Sequence, residues 1–369
     1  MNRKTFLRLL GGGAAAAGGL TQFGCGGLTA ESSSAPSFIR AKQRFGAWTG
    51  GYDTPEKWRQ ALGRMSRAGM NTILPGAGDD ELRRIIPLAR EEGIDVHAWR
   101  VQMRSDQMIK THPEWYAVSR NGVSTAVKPP YVNYYQFMCP SREDVREWVT
   151  ERARAVAKID GLASVHLDYI RLPDVILPVA LWPKYNIVQD REYAEYDFCY
   201  CEVCREKFRA QTGLDPLKLE DAPSNEVWRK FRWDAITAIV NQICAAVHEE
   251  KKPVTAAVFP TPTIARALVR QDWTKWNVDA LMPMIYNGFY NEPVGWVGSA
   301  TRECVQAVQG RTPIHTGLYV PDLKPAELAR ATALALEAGS QGVILFDLNA
   351  TSDEHLAAVA DILRQARVP

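Results

Sequence analysis

The chain has 369 residues, 46% of them hydrophobic, and 44 basic side chains nearly balance 42 acidic ones, which gives a net charge of +2. This composition excludes a disordered chain, a collagen and a disulfide-rich miniprotein. The absence of a basic stripe argues against a nucleic-acid-binding protein. Beyond the first thirty residues no apolar stretch is long enough to span a bilayer, so the sequence predicts a globular body.

Residues 1–37 have the features of a targeting segment. A short basic region with Arg3 and Lys4 precedes a Gly- and Ala-rich apolar stretch, and a Ser-rich spacer follows, which is typical of a signal peptide. The basic pair resembles a twin-arginine export signal with lysine as its second member, and Cys25 behind Gly24 resembles the attachment cysteine of a bacterial lipoprotein. We expect export to the periplasm or outside the cell, with membrane attachment only through a lipid at Cys25. A disordered tail is the alternative.

Residues 38–369 alternate short β-rich runs with amphipathic helical patterns, which predicts one α/β domain. Strands separated by helices indicate parallel pairing through right-handed crossovers, and eight such units favour a (β/α)8 TIM barrel. The alternative, a doubly wound open sheet, would carry a Gly-rich phosphate loop after its first strand, and this sequence has none. The predicted strands are residues 45–50, 71–76, 95–102, 164–171, 254–260, 280–286, 313–320 and 342–348.

The helical patterns carry local start and stop signals. Thr54 and Ser141 stand before acidic first turns as predicted N-caps. Gly69, Gly93 and Gly339 stand just before the next strand, where C-terminal glycines end helices. The predicted helices are residues 54–69, 79–92, 141–158, 225–250, 262–275, 325–338 and 353–366.

Two connections are longer than an ordinary loop. Residues 103–140 follow the third strand and residues 172–224 follow the fourth. Both insertions leave the C-terminal ends of strands, where barrel enzymes build their active sites. We therefore expect them to form walls of the site.

Alternation along the fourth strand points to an inward carboxylate. Val165, Leu167 and Tyr169 suit packing against helices, so His166 and Asp168 are expected to face the interior, with Asp168 nearest the mouth. A carboxylate there is costly to bury unless it is paired or functional.

The same alternation in the eighth strand places Val343, Leu345 and Asp347 inside the barrel. Ile344 and Phe346 are then expected to face the outer helices.

Aromatic residues are expected at the ends of four different strands, namely Trp48, Trp99, Tyr286 and Tyr319. Their flat faces beside carboxylates suit a sugar ring, which has an apolar C–H face and hydroxyls that need acceptors. The sequence thus predicts carbohydrate binding, and a simple aromatic cap on the core is the alternative. His315 is predicted to contact substrate, with a hydrogen-bonded interior histidine as the alternative.

One segment carries a family resemblance. Residues 165–173 (VHLDYIRLP), with 112–115 (HPEW) and 282–286 (MPMIY), resemble the glycosyl-hydrolase-like barrels grouped as family 10-like proteins. Leu172 stands where those proteins usually have tyrosine. The resemblance runs across most of residues 44–350. It implies a (β/α)8 barrel that acts on glycosidic bonds or descends from enzymes that do.

Hydrolysis of a glycoside needs two carboxyl groups around the scissile bond. Asp168 is the first candidate. Asp347 on the eighth strand and Glu292 after the sixth are candidates for the second, and Asp347 leads because it is expected to face inward. The fourth and eighth strands lie opposite each other, a separation that suits an inverting pair better than a retaining one. Weaker candidates for the second group are Asp174, Asp197 and Asp322.

Arg171 is predicted either to keep a neighbouring carboxylate ionised or to bind an acidic group of the substrate. No glutamate stands clearly at a strand end as the second catalytic carboxyl group. A catalytically inactive, carbohydrate-binding barrel would show the same absence, and this is the alternative function. A metal-dependent amidohydrolase would need histidines on the first, fifth and sixth strands, which contain none. No cofactor is predicted for catalysis.

Four cysteines form a candidate metal site. Cys199, Cys201 and Cys204 are close enough in sequence for a metal knuckle, and Cys139 is predicted as the fourth thiolate of a structural zinc. A similar arrangement occurs in zinc-bearing β-galactosidase barrels, where the metal fixes an insertion near the site. A disulfide from Cys139 to one of the three is the alternative in an exported protein.

Overall fold

The computed structural model describes residues 43–365 and shows eight parallel strands in the order β6-β5-β4-β3-β2-β1-β8-β7. Isolated parallel bridges from Leu281 to Ile314 and from Met284 to Gly317 join the two edge strands, so the sheet closes into a cylinder. The predicted (β/α)8 barrel is confirmed. The predicted signal segment, including Cys25, lies outside the described residues. The strands are β1 Arg44–Thr49, β2 Thr72–Pro75, β3 Asp95–Val101, β4 Ser164–Asp168, β5 Val254–Val258, β6 Ala280–Pro283, β7 Thr316–Tyr319 and β8 Gly342–Phe346.

Helices surround the cylinder, and most follow the predicted ranges closely. The helix predicted over residues 262–275 is shorter, because Arg270 takes a left-handed φ of 59° and ends it at Val269. No helix in the described part of the chain is long and apolar enough to cross a membrane. The helices are α1 Pro55–Arg67, α2 Asp79–Glu91, α3 Met108–Thr111, α4 Glu143–Ala157, α5 Trp182–Tyr185, α6 Glu202–Thr212, α7 Glu226–Glu249, α8 Pro262–Val269, α9 Trp296–Val308, α10 Pro325–Glu337 and α11 Asp353–Gln365.

The predicted helix caps are confirmed at α1 and wrong at α4. Thr54 accepts a hydrogen bond from the N–H of Lys57 at 3.3 Å, as an N-cap should. At α4 the capping position is Arg142 rather than Ser141, because the helix begins at Glu143, two residues after the predicted start, and no side chain caps it. The predicted C-terminal glycines all have positive φ angles, at Gly69 (82°), Gly93 (68°) and Gly339 (95°).

Two apolar layers stabilise the barrel. The larger lies between the sheet and the helices, and it contains Val165 and Leu167 of β4. The smaller fills the cylinder, with side chains from five strands under an upper layer of aromatic residues. Its members are Trp48, Leu74, Ala257, Met282 and Ile344, with Trp99, Met284 and Phe346 packed on them.

The assignment of inward and outward residues holds for β4 and is wrong for β8. In β8, Ile344 and Phe346 face the interior, whereas Val343 and Leu345 pack in the outer layer. The strand ends at Phe346, so a two-residue period cannot be extended onto Asp347, which instead begins a 3-10 turn.

The two insertions pack on each other above the strand ends. Short antiparallel bridges pair Tyr116 with Met138 within the first insertion and Ser119 with Phe198 across the two insertions. The rings of Tyr131 and Tyr196 stack with 4.6 Å between centroids. The insertions therefore form one wall over the β3 and β4 side of the mouth.

Candidate active site

Asp168 ends β4 inside the mouth of the barrel, where 8% of its surface is exposed. Its Oδ2 accepts a hydrogen bond from Trp99 Nε1 at 2.8 Å, and its Oδ1 accepts one from the backbone N–H of Tyr169 at 2.6 Å. Burial raises the pKa of Asp168 to about 6, although these two donors and the charge of Arg171 act to lower it. The carboxyl group therefore keeps its proton in mildly acidic solution, as a general acid must.

Aromatic rings form a rim around this carboxyl group. Tyr286, Tyr319 and Phe346 lie within 5.3 to 6.0 Å of one another, measured between ring centroids. Trp99 meets Phe346 edge-on at 6.1 Å. Phe346 was missed as a rim residue because β8 was assigned the wrong alternation. The rim offers flat apolar faces at the entrance to the barrel.

Asp347 follows β8 at the same end of the barrel and is half-buried. Its Oδ1 accepts a hydrogen bond from the N–H of Ala350 at 2.9 Å. Burial raises the pKa of Tyr286, and the negative charges of Asp168 and Asp347 add to that rise. The phenol of Tyr286 therefore lies in the field of both carboxyl groups and stays protonated at any physiological pH.

Two other candidate carboxylates lie near the mouth. Asp322 follows β7 beside Tyr319, and its Oδ2 would come 2.5 Å from a Cβ at Gly288, so this carboxylate packs directly on the backbone of that glycine. Glu292 is half-buried in the turn after the 3-10 helix Asn287–Tyr290, where its backbone pairs with Asn287. Asp322 adjoins the aromatic rim through Tyr319.

Two of the weaker candidates for the second carboxyl group form buried ion pairs. Asp174, 1% exposed, accepts a bond from Arg171 at 2.8 Å. Asp197 lies fully buried against Arg232, and Arg270 approaches it at 3.6 Å. These pairs stabilise the second insertion and leave neither carboxylate accessible to a substrate.

Arg171 does not reach the rim. Its guanidinium is buried, bonds to Asp174, and lies over the rings of Phe137 and Phe259 at 5.0 Å. Burial acts to lower the pKa of Arg171, but Asp174 together with Tyr135 and Tyr169 outweighs this effect, so the pKa is raised. The predicted substrate contact is therefore corrected: Arg171 is held inside the wall formed by the two insertions.

Trp48 and His315 lie below the rim. Trp48 is buried in the cylinder and donates from Nε1 to His166 Nε2 at 3.0 Å. His315 is fully buried just before β7, and burial and the charge of Arg44 lower its pKa to about 3. Both residues are core residues, so the prediction that they contact substrate directly is wrong.

A cleft of about 430 Å³ opens beside Trp99, above the ends of β1, β2 and β3. Its floor includes Gly76, where a Cβ would come 3.1 Å from the Trp99 ring, so glycine makes room for the indole. Arg100, Arg104 and Arg152 line the cleft. None of the three was predicted as a site residue. Arg152 lies on α4, far along the chain from Arg100 and Arg104, so the sequence alone does not bring it to them.

The four predicted metal-binding cysteines come together where the insertions meet the barrel. Their sulfur atoms all lie within 4.8 Å of one another, and Cys139 is 3.4 Å from Cys204 and 3.5 Å from Cys201. Tetrahedral zinc with bonds of about 2.3 Å separates thiolates by about 3.8 Å, close to these values. The backbone N–H of Val118 points at Cys199 Sγ at 3.5 Å, a donor that suits a thiolate. Four converging sulfurs fit a metal better than one disulfide.

Residues 71–338 match a family model described as "Putative glycosyl hydrolase domain". The chain belongs to this family. The match covers β2 to α10 and includes Asp168, both insertions and the cysteine cluster. The glycosyl-hydrolase-like barrel implied by the sequence is thereby confirmed. No curated protein matches the chain in sequence.

Solved structures of glycoside hydrolases share the fold of this glycosyl hydrolase domain. A β-galactosidase from Rahnella sp. R3 is 14% identical, with a TM-score of 0.64 over 90% of this chain and 58% of that one. The catalytic domain of the β-amylase from Paenibacillus polymyxa is 10% identical, with a TM-score of 0.59 over 88% of this chain and 99% of that one. The chain spans little more than half of the β-galactosidase. At these identities the likeness concerns the fold.

Proposed function

We propose that this chain hydrolyses glycosidic bonds, with Asp168 as the general acid and Asp347 as the second carboxyl group. The observation that carries the proposal is the position of Asp168, which is buried at the mouth of the barrel, held by Trp99 and flanked by the aromatic rim. Membership of the glycosyl hydrolase family supports it. The substrate is then a poly- or oligosaccharide.

Asp168, Asp347 and Tyr286 have different roles in the proposed hydrolysis. Each oxygen of Asp168 accepts one hydrogen bond and keeps a second lone pair, so the protonated acid can point its O–H at the glycosidic oxygen. As the C–O bond breaks, that oxygen takes the proton and leaves as an alcohol. Asp347 either deprotonates a water that attacks the anomeric carbon, or attacks that carbon itself. In the second case the ionised Asp168 then deprotonates a water that breaks the bond between the sugar and Asp347. Tyr286, whose phenol feels the charge of both carboxyl groups, is proposed to donate a hydrogen bond to the carboxylate that Asp168 becomes after it gives up its proton.

The competing function is a carbohydrate-binding barrel without turnover. One observation favours it: Asp347 is half-buried at a turn and caps the following 3-10 helix, which is an ordinary structural role. Binding without cleavage would then rest on the rim aromatics alone.

A substrate screen separates the two functions. Purified protein is incubated with polysaccharides and aryl glycosides beside the variants Asp168→Asn and Asp361→Asn, the second being an exposed surface control. The proposal expects cleavage by wild type and the control and a loss of about 100- to 10,000-fold in Asp168→Asn. Sugar retention in a pull-down with no cleavage of any substrate would overturn the enzyme proposal.

We also propose that the cysteine cluster binds a structural zinc ion through Cys139, Cys199, Cys201 and Cys204. The metal would fix the first insertion to the start of α6. Elemental analysis should give about one zinc per chain, and Cys139→Ser should lose it, whereas Cys244→Ala, a buried cysteine of α7 outside the cluster, should keep it. Less than half an equivalent of metal together with no titratable thiols would favour a disulfide.

We also propose that residues 1–37 direct export of the chain. Expression of the full chain in a bacterium, followed by fractionation, should place the processed protein outside the cytoplasm. A Cys25→Ala variant should lose membrane attachment if a lipid anchors the chain. Unprocessed protein confined to the cytoplasm would contradict export.

A further inference from the structure

We propose that the arginine-lined cleft beside Trp99 is a subsite for an acidic sugar, and that it binds the carboxylate or sulfate group of that sugar. The proposal rests on the proposed function, because it names the substrate class of the same site. Arg100, Arg104 and Arg152 line the cleft, and Asp106 is the one carboxylate among its lining residues.

The three arginines differ in how far their charge is already neutralised. Arg100 is fixed, since it bonds to Asp79 at 2.6 Å and to the carbonyl of Ala77. Arg104 and Arg152 form no ion pair with any described residue. Asp79 acts on Arg152 only through its charge, without an ion pair. Two of the three guanidinium groups therefore line the cleft without an ion-pair partner among the described residues.

Two of these guanidinium groups have a buried nitrogen without a partner in the described part of the chain. Arg152 Nη1 and Arg104 Nε are buried and have no hydrogen-bond partner within residues 43–365. Burial and the neighbouring charge of Arg100 lower the pKa of Arg152. Both residues are half-buried, and each leaves one buried N–H without a partner among those residues. An anion in the cleft would satisfy these donors and the positive charge together.

Aromatic residues hold the two unpaired arginines in place. The Arg152 guanidinium lies 4.4 Å from the centre of the Trp148 ring, and that of Arg104 lies 5.1 Å from Tyr134. Stacking on a ring restricts the guanidinium and leaves its N–H edges free. Such preorganised edges suit the bidentate recognition of planar or tetrahedral anions.

The cleft is placed to serve the reaction. Trp99 lines it and also donates to Asp168, so the two sites share one indole. A volume of about 430 Å³ lies within the usual range for small-molecule sites, about 300 to 1,000 Å³. A sugar ring against Trp99 would carry its acidic group on the arginine side and its glycosidic bond on the side of Asp168.

Calorimetry with matched trisaccharides tests this inference. The probes differ only at C6, as carboxylate, sulfate ester or hydroxymethyl, in the galacto and the gluco series, and Asp168→Asn protein prevents turnover. We expect at least one acidic probe to bind about tenfold or more tightly than its neutral counterpart, with the preference weakening as salt rises. The carboxylate and sulfate arms identify which anion the cleft selects.

Arginine variants in the same background locate the effect. Arg152→Gln should abolish the preference, Arg152→Lys should restore part of it, and Arg84→Gln on the exposed face of α2 should leave it unchanged. Equal affinity for acidic and neutral probes, no binding of any acidic probe, or a preference that survives Arg152→Gln would overturn the subsite. Cleavage of neutral sugars with no charge preference would refute this inference alone. Charge-selective binding without cleavage of any sugar by wild type would refute the proposed function alone.

Discussion

Replacing Asp168 with asparagine should remove activity and at the same time stabilise the protein above about pH 6. The raised pKa means that the folded state holds this proton more tightly than the unfolded state, whose ordinary value is 3.8. The stability of wild type therefore falls as the pH rises from 3.8 to about 6 and is then constant. The full difference of about two pKa units corresponds to about 3 kcal/mol.

Asparagine keeps the shape of the side chain but can accept only one of the two hydrogen bonds. Its amide group must face either Trp99 Nε1–H or the N–H of Tyr169, which costs about 1 to 2 kcal/mol. At about pH 7.5 the variant should be more stable than wild type by about 1 to 2 kcal/mol. Near pH 4.5 the free energy of unfolding of the variant, relative to wild type, should be lower by about 2 kcal/mol than at pH 7.5. The variant should then be no more stable than wild type.

Urea unfolding at the two pH values measures both quantities. Asp361→Asn, in an exposed pair with Arg364, serves as the control and should show no comparable pH dependence. A stability difference between Asp168→Asn and wild type that is the same at both pH values would refute the reasoning, because Asp168 would then not titrate in this window.

Other predictions follow from the same geometry. The rate of wild type should decline as the pH rises through about 6, where Asp168 loses its proton, and a rate that still rises there would exclude it as the acid. Trp99→Phe removes a hydrogen bond that lowers the pKa of Asp168, so this decline should move to higher pH; a profile that moves to lower pH would contradict the role of the bond. Tyr286→Phe should reduce kcat by about 100-fold with little change in thermal stability, and an unchanged kcat would exclude its hydroxyl from the reaction. Removal of metal by a chelator should lower the thermal midpoint of wild type, whereas Cys139→Ser should not respond.

The sequence was sufficient for the barrel because each strand lies between a helix and a turn signal. The position of Asp168 also followed from local alternation, since its strand continues regularly to Asp168 itself. The cysteine cluster was predictable because three of its members lie within six residues and only Cys139 had to be found elsewhere. These features depend on neighbours in the chain.

The errors arose where a side chain depends on distant partners. Phe346 was assigned to the wrong face because the alternation was extended onto Asp347, and the strand ends between the two residues. The role of Arg171 was wrong because the aromatic rings it packs on, Phe137 and Phe259, lie in the first insertion and just after β5, far from it in the chain. Arg152 belongs to an ordinary amphipathic helix, and only the closed barrel brings it to Arg100 and Arg104. The sequence did contain one local indication of the cleft, because Arg100 and Arg104 lie four residues apart at the end of β3.

The dependence of hydrolysis on the leaving group tests the role of Asp168 most directly. Aryl glycosides of one sugar, with phenols of increasing acidity, are compared in wild type and Asp168→Asn. If Asp168 is the general acid, the variant should lose about 1,000-fold or more on poor leaving groups and much less on the most acidic phenols, which need no protonation. An equal loss on all of them, or no loss, would contradict the assignment.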